Sequence, residues 1–216
     1  MPTPAGTAPA PSPPSSPDVD PGDGAIDGRT ARRDRNRDAV LDAVIELFTE
    51  GHVGLVAADV AERSGVSLRS VYRYFDDLEA LARAAIARQM ERFAPLAELP
   101  GLGEGSLDER IERIVDNRLR LYEAIGPTRR AAIQRAPANP ILAEQLERTR
   151  VLLEEQVEAM FAPELTALSA AERRAVTPGV DLLLGFESFD QLRRIRGLSP
   201  AETRRVLHTA LGRLLG

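Results

Sequence analysis

The stretch VAADVAERSGVSLRSVYRYF, residues 56–75, decides which fold this sequence predicts. It divides into two short helices, at about 57–64 and 68–75, with a glycine-containing turn between them. Gly65 is a residue that adopts positive φ at little cost. Ala61, four positions earlier, is small enough for two helices to cross closely. The pattern predicts a helix-turn-helix.

The second of these helices has an apolar side and a polar side. Val71 and Phe75 are four residues apart and share the inward face, Val66 fills the turn, and Ser67 can cap the helix. The core leaves six side chains less constrained, namely Leu68, Arg69, Ser70, Tyr72, Arg73 and Tyr74. A recognition helix in the major groove of DNA uses such a face. A plain helical hairpin with solvated arginines is the alternative, and the coincidence of features at fixed offsets favours the groove.

The composition limits the class of protein. With 43% apolar residues the chain can build a core, and without Cys it can form neither a disulfide nor a thiolate metal site. No apolar run has the length of a membrane span, and the amino terminus lacks the order of a secretory signal. We therefore expect a cytoplasmic protein with no membrane partner.

Residues 1–28 differ from the rest of the chain. They hold eight of the 16 prolines and four aspartates but no basic residue. Such a segment cannot bury enough surface to fold, so we predict a disordered acidic tail. The net charge of the protein is −5, and the remainder of the chain is close to neutral. Binding to phosphates would therefore depend on a local basic patch.

The rest of the chain predicts an all-α fold of about nine helices. Apolar residues recur at helical spacing from Arg32 onward, and three Ser-x-x-Glu capping boxes mark helix starts. After the first helix, which Gly51 ends, we expect helices at about 57–64, 68–75, 78–98, 107–125, 128–135, 140–161, 170–196 and 200–215. Pro178 should kink or split the helix at 170–196.

The run DAVLDAVIELFTEG, continued by residues 56–82, resembles the DNA-binding domain of TetR-family transcriptional regulators. The specific part is Gly-Val-Ser followed by Val-Tyr-x-Tyr-Phe. The resemblance is strong over about residues 36–82 and looser at ESFDQLRRIRGLSPAE. It implies a homodimer with a three-helix DNA-binding domain at residues 29–77. A larger helical domain at 78–216 would bind a small effector and dimerise.

Two positions depart from the family pattern. Leu78 stands where the family usually has a phosphate-contacting Lys, and Val56 stands where it usually has a Thr. Phosphate contacts supply much of the affinity for DNA. Either arginines of the arm and first helix compensate, or DNA binding is weaker than usual. We favour compensation by Arg32, Arg33, Arg35 and Arg37, although a solvated helix start interleaved with aspartates would have the same composition.

The expected DNA-binding residues divide into two roles. Arg69 and Arg73 are suited to bidentate contact with guanine or to phosphate contact. Ser67, Ser70, Tyr72 and Tyr74 are assigned to phosphate contacts that set register. Arg32, Arg33 and Leu68 complete the predicted surface.

Arg118 raises the question of an effector pocket. It falls in the middle of an apolar helical stripe, where an unpaired charge is costly. An internal partner is favoured, with Glu187 as a candidate, and an acidic ligand is the other possibility. The predicted pocket residues are Met90, Phe93, Arg118, Tyr122, Met160, Phe186 and Glu187. Most of these types at helical spacing are more often plain core.

Two apolar helices near the carboxyl terminus predict a dimer interface. The segment 180–195 is apolar nearly all round, and the last helix has a wide apolar face. The predicted interface residues are Leu182, Phe189, Val206, Leu207, Ala210, Leu211 and Leu214. The alternative is that these residues form the core of a monomer.

An enzyme is the chief rival class. The only histidines are His52 and His208, and neither belongs to a pattern typical of a metal ligand or an activated nucleophile. We predict no enzymatic activity, no cofactor and no metal site. The predicted function is a ligand-responsive transcriptional repressor that binds a near-palindromic DNA operator as a homodimer and is released by a small molecule. The alternative function is a helical interaction module that has lost sequence-specific DNA binding.

Overall fold

The computed structural model describes residues 22–52 and 54–216, and each regular element in that part of the chain is helical. The all-α prediction is confirmed, with ten α-helices in the described residues where about nine were expected. Their bounds are α1 Gly22–Glu50, α2 Ala57–Ser64, α3 Leu68–Tyr74, α4 Leu78–Ala97, α5 Leu107–Arg135, α6 Pro140–Met160, α7 Ala162–Ala167, α8 Ala170–Leu184, α9 Phe186–Asp190 and α10 Pro200–Leu215.

Local capping fixes where the helices of the larger domain begin. In each capping box the serine oxygen accepts the N–H of the glutamate, and the glutamate side chain accepts the N–H of the serine. The three boxes predicted from sequence form as Ser106–Glu109, Ser169–Glu172 and Ser199–Glu202. Asn139 caps α6, accepting the N–H groups of Ile141 and Leu142 at 3.1 and 3.2 Å.

The predicted break between residues 125 and 128 is wrong, because α5 continues unbroken through Pro127. Proline removes one hydrogen bond and leaves the carbonyl of Glu123 without its helical donor. Both Pro127 and Glu123 are exposed, so water can take that role. On the other side of the helix, Ile125 and Ala132 are buried and hold the two halves in line.

The segment predicted as one helix at 170–196 is split, but at Gly185 and not at Pro178. Helix α8 runs through Pro178, whose ring is exposed, and ends at Leu184. Gly185 has an extended backbone, with φ −73° and ψ 157°. The carbonyls that this break frees find other donors: the Tyr122 hydroxyl donates to Leu184 O at 3.0 Å, and the Ser188 hydroxyl donates to Leu182 O. The break therefore occurs where partners are available.

Helix α1 begins earlier than the predicted tail boundary allows. It includes residues 22–28, which were assigned to the disordered tail. The rest of that predicted tail, residues 1–21, lies outside the described residues.

The described residues form two apolar cores. The smaller joins α1, α2, α3 and the first half of α4, and it includes the fully buried Val40 and Val60. The larger joins α5 to α10 and is centred on the fully buried Ile111, Met160 and Leu211. Helix α4 contributes to both cores, so it connects them.

Asp181 on α8 faces α6 without a partner for its buried Oδ1 atom among the described residues. Burial, reinforced by Glu154 and Glu158, raises the pKa of Asp181 to about 6, and Arg150 opposes the shift. A raised carboxyl pKa means that the folded state holds the proton more tightly than the unfolded state. The contribution of Asp181 to stability therefore falls as the pH rises from the ordinary pKa of an aspartate to about 6 and above.

We expect Asp181→Asn to stabilise the protein at pH 7.5 by about 1 kcal/mol after allowance for solvent screening. The gain should shrink as the pH falls through 6, because the native carboxyl becomes protonated there. Urea unfolding at pH 7.5 and 5 measures both values. Glu155→Gln, at an exposed position of α6, is the control. An equal gain at the two pH values would contradict the assignment.

Candidate nucleic-acid interface and interdomain cavity

Helices α2 and α3 form the predicted helix-turn-helix. Gly65 ends α2 in the left-handed region, with φ 67° and ψ 16°, where a β-branched residue would be strained. Ser67 then begins α3 by accepting the N–H of Ser70 at 3.3 Å. Val66 and Val71 are buried beneath the turn. The predicted turn, cap and inward face are thus all present.

Burial on one side of α3 leaves its other side in solvent. Leu68, Arg69, Tyr72 and Arg73 are exposed, and Tyr72 keeps 53% of its surface. Arg73 is partly tethered, because its guanidinium donates to the Ser70 and Tyr74 oxygens, each at 3.3 Å. Arg69 has neither a hydrogen bond nor an ion pair within residues 22–52 and 54–216. It is therefore the freer of the two arginines.

Tyr74 connects α3 to the first helix. It is half-buried and packs against the smaller core. A hydrogen bond from Arg73, followed by one from Asn36, lowers the pKa of the Tyr74 hydroxyl. The sequence assigned Tyr74 wholly to the polar face of α3. In the structure its ring packs partly against the core, and only its hydroxyl lies among polar groups.

Arginines of α1 lie beside the recognition helix. The Arg37 guanidinium sits over the Phe75 ring at 5.2 Å, and the charge of Arg33 is near enough to act on Tyr74. Arg32, Arg33, Arg35 and Arg37 are exposed, and no described ion pair joins them to a carboxylate. The interleaved Asp38 pairs instead with Arg88 of α4 at 2.9 Å. Arg33 and Arg37 thus form a small basic patch next to α3, with Asp34 exposed on the same helix.

The two departures from the family pattern have visible structural consequences. Val56 precedes α2 without a side-chain cap and is 50% exposed. Leu78 is the first residue of α4 and packs partly against the smaller core. Neither side chain can donate a hydrogen bond to a phosphate. Any such contact would have to come from other residues.

A cavity of about 460 Å³ lies at the boundary between the two domains. Helix α1 forms one wall, and α4, α5 and α6 form the others. Of the predicted pocket residues, Met90 and Phe93 line this cavity. The contribution of α1, through residues such as Val44 and Phe48, was missed, because periodicity assigned them only to the core of the small domain.

The other predicted pocket residues lie elsewhere. Tyr122 and Phe186 pack edge to face, with ring centroids 5.5 Å apart, and both are buried in the larger core. Met160 is fully buried in the same core, and Glu187 is exposed. None of these four is among the residues around the cavity.

Arg118 is 2% exposed and hydrogen-bonds to amides rather than to a carboxylate. Its guanidinium donates to Asn117 Oδ1 at 2.8 Å, to Gln156 Oε1 at 2.9 Å and to Leu153 O at 3.2 Å. The expectation that Glu187 pairs with it is wrong. Burial lowers the pKa of Arg118, because desolvation penalises the charged form.

The two amides held by Arg118 cap the carboxyl end of α4. Asn117 donates to the carbonyls of Leu96 and Glu98 at 3.0 and 2.9 Å, and Gln156 donates to Ala97 O at 2.9 Å. A helix carboxyl end carries partial negative charge and unsatisfied carbonyls. The buried guanidinium is therefore linked to the negative end of α4 through the side-chain amides of Asn117 and Gln156.

Ion pairs join α1 to α4. Asp42 accepts two hydrogen bonds from Arg88, at 2.8 and 3.1 Å, and one from Arg92 at 2.6 Å. These bonds, led by that from Arg88, lower the pKa of Asp42 despite its partial burial. A second connection comes from Arg135 of α5, whose guanidinium lies 4.5 Å from the centroid of the Phe48 ring.

The predicted interface residues fall into two groups. Leu182 and Val206 are 66% and 42% exposed, while Ala210 and Leu214 are half-buried. Phe189, Leu207 and Leu211 are buried within the chain's own core. The prediction that these last three lie at a dimer interface is wrong, because α9 turns Phe189, and α10 turns Leu207 and Leu211, toward the larger core.

Two other kinds of feature, a metal site and a membrane span, are absent from the described residues. Across residues 22–52 and 54–216, no group of three or more acidic or histidine side chains is arranged to hold a metal ion. Within the same residues, no helix combines the length and apolar character that a membrane span requires.

Known structures share this fold. A regulator from Streptomyces coelicolor of the TetR family superposes with a TM-score of 0.63 at 20% identity, over 84% of this chain and 80% of its own. A TetR-family regulator from Rhodococcus sp. gives 0.62 at 20% identity, over 84% and 99%. A transcriptional regulator from Rhodococcus sp. Rha1 gives 0.60 at 20% identity, over 85% and 95%.

These similarities are structural. No protein-family model matches the chain, and no curated protein matches it either. The chain has the fold of TetR-family transcriptional regulators, with an amino-terminal helix-turn-helix.

Proposed function

With the fold of TetR-family regulators as the premise, we propose that the chain is a cytoplasmic transcriptional repressor that binds double-stranded DNA as a homodimer and is released by a small molecule. The observation that carries this proposal is the exposed face of α3. It presents Leu68, Arg69, Tyr72 and Arg73 to solvent above a buried Val71. Arginine and tyrosine on a short exposed helix are groups that contact base edges and phosphates.

The basic patch of α1 supports binding to a duplex of DNA despite Leu78 and Val56. Arg33 and Arg37 lie beside α3, and Asp38, which could have neutralised them, is occupied by Arg88. Local charge is what matters for phosphate contact, so a net charge of −5 does not oppose this function.

Dimerisation is supported by exposed apolar side chains on α8 and α10. Leu182 and Val206 belong to neighbouring helices that pack against each other within the chain. A second copy that covers them would complete a four-helix interface. Two copies of α3 would then address two half-sites of a near-palindromic operator.

Release by a small molecule requires that a ligand site communicate with α3. Helix α4 is anchored at its carboxyl end by the amides that Arg118 holds, and Asp42 of α1 binds Arg88 and Arg92 in its second half. A ligand that moves α4 would therefore change the position of the DNA-binding domain, which is allosteric coupling between two sites. A helical interaction module without DNA binding is the second candidate, and Leu78 and Val56 are the residues that favour it.

Selection of the purified protein on random-sequence duplexes tests the proposal. We expect enrichment of a near-palindrome over several rounds, with binding that weakens steeply as salt rises. Size-exclusion chromatography with light scattering, on the same sample, establishes the dimer. A folded, dimeric protein that enriches no sequence would instead favour the interaction module.

A further inference from the structure

The interdomain cavity has polar groups that lack partners in an otherwise apolar lining. Gln89 of α4 is 8% exposed and lines the cavity, yet its Oε1 atom is buried without a hydrogen-bond partner among the described residues. A buried amide without partners costs free energy. A ligand O–H or N–H group that donated to this oxygen would remove that cost.

Arg129 of α5 is a second unsatisfied group in the same lining. Its side chain is half-buried, and its Nε atom is buried without a partner in the described part of the chain. The guanidinium lies 5.4 Å from the centroid of the Phe186 ring, and no described ion pair joins it to a carboxylate. A partly buried cation without a counter-ion attracts an anion.

The other two arginines of the lining already have partners, and only one lining residue carries a carboxylate. Arg135 donates to His52 O at 3.3 Å and lies over Phe48, and Arg148 is 3.7 Å from Glu144. Asp59 is the one carboxylate among the lining residues. The lining thus favours an anion over a cation, and Arg129 is the arginine left to bind it.

We infer that this cavity binds an apolar carboxylate, with the carboxylate on Arg129 and the apolar body between α1 and α6. The cavity volume, about 460 Å³, is within the range of sites for small molecules. This inference rests on the proposed function and names the ligand class. Its distinctive element is that the ligand would contact Val44 and Phe48 of the DNA-binding domain itself.

Because the ligand would contact α1 itself, its binding would act directly on the domain that binds DNA. The wall formed by α1 and the wall formed by α5 and α6 belong to different domains, so filling the space between them fixes their separation. The α1–α4 ion pairs of Asp42 and the Arg135–Phe48 contact must then adjust to the occupied spacing. A dimer set at a different spacing no longer matches two half-sites.

Isothermal titration of the full chain with dodecanoate, dodecanol and dodecylamine tests the ligand class. We expect one dodecanoate per chain, bound about tenfold more tightly than dodecanol and more tightly still than dodecylamine. Arg129→Met should weaken dodecanoate about tenfold and leave dodecanol nearly unchanged. Gln89→Leu, of similar volume, should weaken dodecanol, whose hydroxyl can donate to Gln89 Oε1, and leave dodecanoate nearly unchanged.

Arg120→Met is the matched control, because Arg120 is exposed on the same helix and lies outside the lining. Circular dichroism checks that each variant is folded. The inference is overturned if the three ligands bind alike, if none binds, or if Arg129→Met binds dodecanoate as the unmodified chain does.

A second measurement separates this inference from the proposed function. On the selected operator duplex, dodecanoate should weaken binding by the unmodified protein at least about tenfold and that by Arg129→Met much less. Duplex binding that dodecanoate leaves unchanged would overturn the coupling. Saturable dodecanoate binding that depends on Arg129, in a protein that enriches no duplex, would support the cavity assignment and overturn the DNA-binding function.

Discussion

Arg118→Ala is expected to lower the free energy of unfolding by about 3–5 kcal/mol, the largest effect that we expect from a single truncation in this chain. The substitution removes a side chain that is 2% exposed and leaves a void in the larger core. It also leaves Asn117 Oδ1 and Gln156 Oε1 without the donor that orients them. Each buried unsatisfied oxygen accounts for about 1–3 kcal/mol of this loss.

Urea unfolding monitored by circular dichroism measures this effect, and two further variants separate its causes. Arg118→Met keeps most of the volume, so its cost should come chiefly from the unsatisfied oxygens and should be smaller than that of alanine. Arg120→Ala, at an exposed site of the same helix, should change stability by less than about 0.5 kcal/mol. Equal costs for Arg118→Ala and Arg120→Ala would show that the buried guanidinium stabilises nothing.

The position of Arg118 also predicts which part of the protein the Arg118→Ala substitution should destabilise locally. Its two amides satisfy the carbonyls of Leu96, Ala97 and Glu98, so their release should fray the carboxyl end of α4. Hydrogen exchange should therefore become faster in the last turns of α4 before it does in α10. Because α4 joins the two domains, the same variant should also respond less to a ligand in the interdomain cavity.

The helix-turn-helix could be predicted from sequence because each of its determinants is local. Gly65 fixes the turn, Ser67 caps α3, and the spacing of Val71 and Phe75 sets the buried face. These interactions span only a few residues, so their pattern survives without knowledge of the rest of the fold. The capping boxes at the starts of α5, α8 and α10 are confirmed for the same reason.

Helix ends that depend on solvent exposure could not be predicted in the same way. Pro127 and Pro178 resemble breaks in a linear sequence, but each has its ring in solvent and leaves its helix intact. The real break at Gly185 depends on the Tyr122 hydroxyl, which is 62 residues from its acceptor Leu184. Only the packed structure brings such a donor into place.

The residues of the cavity and of the interface show the same limit. Hydropathy identifies Leu207 and Leu211 as apolar, yet it does not say that they face the larger core while Val206 faces solvent. Likewise, Phe48 has the spacing of a core residue of α1, and its place in a wall of the cavity follows from the docking of two domains. The periodicity of the sequence therefore does not predict which helices pack against each other when they are distant in the chain.

Arg69→Ala should relax base preference at one position of each half-site and cost about 1–3 kcal/mol of binding there. The reason for choosing this arginine over Arg73 is geometric. Arg73 is held by Ser70 and Tyr74, while Arg69 is exposed and free to form a bidentate contact with guanine. Because a homodimer presents two copies, both halves of the operator should lose preference together.

The control for this prediction is an arginine that is assigned to the phosphate backbone. Arg33→Ala should weaken binding to all duplexes similarly and reduce the slope of affinity against salt by about one unit, since one fewer counter-ion is released. Competition of each variant against operators changed one base pair at a time distinguishes the two patterns. If Arg69→Ala discriminates among these operators as the unmodified protein does, then Arg69 reads no base. The sequence preference of the dimer would then have to come from other residues of α3, of which Arg73, tethered to its neighbours, would be the next to test.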